Sequence, residues 1–176
     1  MLVGEYCWEP FDPAIEDLWS FWLEQWPKWP AWMDIEPAWL LISPESSMAE
    51  TVSQARVGAG SDSTDPRMFC FTVICNGDPN TECAEYVNPI AAKYPPVINS
   101  VFAQPFMQWQ LANVDVTDAQ EGYLYLTSGV LPRGALTTEV VALLVEALRQ
   151  APSDRNLVLF HPGGGAIAEV DATATA

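Results

Sequence analysis

Residues 67–93, RMFCFTVICNGDPNTECAEYVNPIAAK, hold an apolar run, a turn and a helix in succession. Arg67–Ile74 is dense in aromatic and β-branched residues and predicts a strand. It stops at Asn76-Gly77-Asp78-Pro79, a turn signal. A helix is predicted from about Asn80 to Lys93, with Pro89 set to kink it or split it in two. Cys70 and Cys75 fall inside the apolar run and read as core residues. A strand turned back through a short loop and followed by a helix points to layered α and β structure.

The same reading extends upstream. Leu2–Trp8 is a short strand ended by Pro10 and Pro13. From Pro13 to about Lys28, Ile15, Leu18, Trp19, Trp22, Leu23 and Trp26 recur at spacings of three and four, one face of a helix. Asp12 is placed to cap it, with Pro13 at its first position. At helical spacing the tryptophan stripe fits a face packed on a sheet better than a carbohydrate platform. Ile35–Ser43 is a strand, with Pro37 favouring an edge or a bulge. Residues 44–66, rich in Ser, Gly, Ala and Asp, read as a flexible loop.

Downstream, Tyr94–Gln110 reads as extended chain and Gly122–Leu131 as a strand. Thr137 or Thr138 opens the helix TEVVALLVEALRQ, which ends near Pro152. Asn156–His161 is a strand, then comes a Pro-Gly-Gly-Gly turn and a further strand, Ala166–Val170. The order predicts one α+β domain over 1–176: a mainly antiparallel sheet with helices packed on one face.

Composition narrows the function classes. The 176 residues carry 23 Asp+Glu against 7 Lys+Arg, a formal charge of −16, which disfavours a nucleic-acid partner. Such acidity keeps molecules apart in solution and suits high salt. A hydrophobic fraction of 49% excludes wholesale disorder. No apolar run is long enough for a membrane helix, and the N-terminus lacks the features of a secretion signal, so a cytoplasmic location without membrane contact is the default expectation. The four cysteines form no C-x-x-C pair and only one histidine is present, so neither a metal site nor a disulfide framework is expected.

That histidine, His161, ends an apolar strand just before open glycine backbone, a position suited to proton transfer or to simple packing. Tyr123 and Tyr125 share one face of their strand and could line a pocket or a core. The segment Pro162–Ala166 lacks the Lys-Ser/Thr of a phosphate loop and leads into a strand, not a helix. No Ser/His/Asp arrangement can be assembled.

The segment LPRGALTTEVVALLVEALRQAPSDRNLVLFHPGGGAIAEVDATATA, residues 131–176, resembles the substrate-binding domain of berberine bridge enzyme-like FAD-linked oxidases. There a helix, a Pro-Ser loop and a strand lead to a Pro–Gly-Gly-Ala-type turn, a second strand and a Thr-Ala element. Cys70–Pro96 resembles the family's strand, Gly-Asp-Pro turn and helix. Residues 106–110, FMQWQ, match a segment that usually carries a Tyr and a Gln, and 125–129, YLTSG, match its Tyr/Ser strand.

The resemblance implies the substrate-binding portion of an FAD-dependent oxidoreductase. Such an enzyme oxidises an alcohol, a sugar or a secondary metabolite by hydride transfer to flavin. His161 occupies the place where plant members have a Glu as base. Tyr125, Tyr123, Gln108 and Ser128 would form the pocket wall. The implied partners are an FAD-binding domain, of the same enzyme or split from it, and a small-molecule substrate. The chain carries neither the His and Cys used for flavin attachment nor the closing His-Arg pair. A domain truncated at both ends, inactive alone and prone to self-association through its uncovered face, is therefore expected. A free-standing α+β binding or dimerisation module without catalysis is the alternative.

Overall fold

The structure is a computed structural model, which describes residues 1–42, 47–59, 63–111, 129, 131, 134–152 and 158–162. Three long strands carry the fold: β1 (Leu2–Trp8), β2 (Met33–Leu41) and β3 (Arg67–Cys75). They lie antiparallel with β3 in the middle, so that Tyr6 faces Phe71 and Ile35 faces Val73. Short strands extend both edges. β4 (Ile98–Asn99) and β5 (Phe102–Ala103) pair with β1, and β6 (Val158–Leu159) pairs with β2, all antiparallel. The α+β class on an antiparallel sheet is the one expected.

Strand alternation sends Tyr6, Trp8, Ile35, Trp39, Phe69, Phe71 and Val73 to one face. Helices α1 (Ile15–Gln25), α3 (Glu82–Lys93) and α4 (Thr138–Arg149) pack there. The tryptophan stripe is core: Trp19 and Trp22 are buried beside Ile15 and Leu18. Burying an indole contributes roughly 4–6 kcal/mol before entropy, provided its N–H finds an acceptor. Trp22 Nε1 donates to the Ile35 carbonyl at 2.7 Å and Trp39 Nε1 to that of Pro10 at 2.9 Å.

Local differences from the sequence reading have simple causes. Asp12 Oδ1 accepts the Ala14 N–H at 2.8 Å, so α1 begins at Ile15 and Pro13 precedes it. Pro89 neither splits nor ends α3, because it lies on the exposed side, where water can take over the carbonyl it leaves unpaired. Pro37 sits inside β2 rather than at an edge. Its carbonyl accepts from Phe160 N at 3.1 Å, so its missing donor falls toward β6, where pairing is only two residues long.

Three expectations are corrected. The flexible loop placed over 44–66 contains helix α2, Ser47–Ala59. Nor do all helices share a face: Val52 of α2 packs with Cys7, Ile42, Met68, Cys70 and Ile98 on the opposite side of the sheet. Arg56 anchors α2 through a forked pair to Glu9, both bonds 2.9 Å long. Lastly, all four cysteines are in disulfides. The β1–β3 register sets Cys7 opposite Cys70 with Cα atoms 4.1 Å apart, and Cys75–Cys83 ties the end of β3 to the first turn of α3. Sequence spacing carries no information about such pairings.

Candidate functional site

The face away from α1, α3 and α4 holds a polar row. On it Glu5 stands opposite Thr72, and Thr72 opposite Glu36. β6 pairs Leu159 with Ala38, and the next backbone bond joins Phe160 to Pro37. One step further the register brings His161 to Glu36, with Nδ1 2.8 Å from Oε1. Asp34, two residues before Glu36 on β2, belongs to the same face. His161 is thus an edge residue with an exposed ring and one carboxylate partner, and the side chain of Glu36 is 26% exposed.

The electrostatics follow from this crowding. Burial pushes the Asp34 carboxyl up to about 6, and the neighbouring Glu36 charge adds to the rise. The Ile35 backbone N–H and His161 pull it the other way. Burial also raises Glu5, whose carboxyl makes no hydrogen bond or ion pair among the described residues. Nδ1 of His161 is taken up by the contact with Glu36, which leaves Nε2 as the ring nitrogen open to another partner.

Of the residues singled out in the sequence, His161 alone is placed in this cluster. Gln108 is exposed in a helical stretch, 106–111, that follows β5 at the opposite edge of the sheet. Tyr123, Tyr125 and Ser128 lie outside the described residues. Sequence reasoning missed Asp34, Glu36 and Glu5. The signal was present for β2, where acids at 34 and 36 alternate with buried Met33 and Ile35.

A hollow lined by Asp17, Ser20, Phe21, Glu24, Lys93 and Tyr94 opens between α1 and α3, on the other side of the sheet from His161. None of the described helices is long and apolar enough to cross a membrane. Comparison with protein-family models, curated proteins and solved structures finds no match. The resemblance quoted above therefore rests on its own motifs.

Proposed function

We propose that this chain is the substrate-binding portion of an FAD-dependent oxidoreductase of the berberine bridge enzyme-like kind. In this reading it oxidises an alcohol, a sugar or a secondary metabolite. The observation that carries the reading is the His161–Glu36 pair just beyond β6, immediately before the sequence Pro-Gly-Gly-Gly. At the position where the resembled family carries its base, this chain sets a nitrogen base oriented by a carboxylate.

The chain's own groups suit the proton-handling half of such a reaction. Glu36 holds the imidazole so that Nε2 points at a substrate hydroxyl, accepts its proton, and leaves the positive charge beside a carboxylate. Thr72 and Asp34 offer further hydrogen-bonding groups on the same face. No step at the flavin is assigned to the described residues. FAD, held by a separate domain, would supply the hydride acceptor.

The test is to express the chain together with an FAD-binding domain, in cis or in trans, and follow anaerobic bleaching of the flavin across a panel of alcohols and sugars. Substrate-dependent bleaching that His161→Gln abolishes supports the reading. Bleaching indifferent to His161, or turnover by the isolated chain with FAD alone, overturns it.

A further inference from the structure

The hollow between α1 and α3 measures about 330 Å³, at the small end of ligand pockets, roughly 300–1,000 Å³. Asp17, Ser20, Phe21 and Glu24 line it from α1, where spacings of three and four set them on one helix face. Lys93, the last residue of α3, and Tyr94 form the other wall. Tyr94 is buried and joins the two walls, its hydroxyl donating to the Asp17 carbonyl at 3.4 Å.

The chain has only two lysines, Lys28 and Lys93, and both meet here. Lys28 bonds Glu24 at 2.9 Å. The Lys93 ammonium lies 5.6 Å from the centre of the Phe21 ring and 4.9 Å from that of Tyr94. Two ammonium groups thus balance two carboxylates, Asp17 and Glu24, on a chain whose formal charge is −16.

That balance selects the ligand. An anion would meet Asp17 and Glu24, and a cation would meet Lys93. A wholly apolar molecule would take water from these groups and return no hydrogen bond. Lysine only donates and carboxylates only accept, whereas a hydroxyl does both. Half-buried Phe21 adds a ring surface for carbon–hydrogen contact.

We propose that this hollow binds a neutral pyranose sugar. Hydroxyls of the sugar accept from Lys93 and donate to Asp17 and Glu24, while its apolar face packs on Phe21. The site lies across the sheet from His161, so it does not rest on the oxidase reading. Asp17, Glu24 and Lys93 are exposed to water, and binding is expected on the order of millimolar.

The experiment titrates the whole ¹⁵N-labelled chain with the methyl pyranosides of glucose, galactose and mannose, following backbone amide shifts. Saturable shifts at Phe21, Glu24, Lys93 and Tyr94 are expected with at least one of them. Lys93→Met keeps the side-chain stem, lies on the surface and should weaken binding about tenfold. Phe21→Leu keeps apolar bulk without the ring and should weaken it as well, while His161→Gln should leave it unchanged. Glucuronate, glucosamine and cyclohexanol, which present an anion, a cation and an apolar ring, should bind less well. No saturable shift with any of the three glycosides, shifts confined to other parts of the chain, binding indifferent to Lys93→Met, or a comparison compound that binds as tightly overturns the proposal.

Discussion

Nδ1 of His161 lies 2.8 Å from Oε1 of Glu36, joining two residues 125 apart in the sequence. The bond depends on the β2–β6 register, since a one-residue slip would turn His161 to the opposite face. On the function proposed above, with an FAD-binding domain supplied, His161→Gln is expected to slow flavin reduction by about 100-fold or more, the usual worth of a general base. Glu36→Gln keeps a hydrogen-bonding group but loses the charge, and should cost less, about tenfold. Stopped-flow reduction rates under saturating substrate measure both. Equal losses for the two variants would show that Glu36 does more than orient the ring.

Asp34 should make stability depend on pH in a direction opposite to most carboxylates. Its folded pKa, about 6, lies above its ordinary value of 3.8. The folded state therefore binds this proton more tightly than the unfolded chain does. That contribution is fully present below pH 3.8 and is lost as pH rises through about 6. Asp34→Asn should then be more stable than the parent at pH 7.5, by about 1 kcal/mol once solvent screening of a half-exposed group is allowed for. The gap should close below pH 4. Urea denaturation at the two pH values decides it, and equal midpoints at pH 7.5 would refute the assignment.

The two disulfides should differ in worth. Cys7–Cys70 closes a 63-residue separation and Cys75–Cys83 one of 8. Chain-entropy arithmetic assigns about 4 kcal/mol to the first and about 2.5 kcal/mol to the second. Paired Cys→Ser variants, compared by denaturant midpoint in metal-free buffer, should fall in that order. The reverse order would mean that native-state packing, rather than chain entropy, dominates.

Gly4 should tolerate no side chain. Its φ is +149°, and a Cβ there would collide with the Ser100 carbonyl, where the chain passes from β4 to β5 along the β1 edge. Gly4→Ala is expected to destabilise by about 3 kcal/mol, from the strained backbone and the clash together. Thermal unfolding measures the loss. A variant as stable as the parent would show that the 100–101 backbone can shift away from β1.

How much was legible in the sequence depended on whether the signal was local. β1 was read with its correct bounds, its C-terminal end being marked by Pro10 and Pro13 just after Trp8. Helix α4 was read from a start at Thr137 or Thr138, and Thr137 is the cap, its side chain accepting the Val140 N–H. Helix α2 was missed because Val52 is buried in a cluster with Cys7, Ile42, Met68, Cys70 and Ile98, most of them far away in the chain. The candidate site was half legible. A histidine before a run of glycines stands out, whereas Glu36 is one acid among many until register sets it against that ring.

The sequence by itself determined the class of structure: period-two and period-3.6 apolar patterns, turn residues and caps act within a few residues, so strands and helices of an α+β domain can be read directly. Only the tertiary structure decided which face each element covers, that Cys7 meets Cys70, and that His161 meets Glu36. Those outcomes follow from strand register and from burial, which bring together residues that carry no sign of one another along the chain.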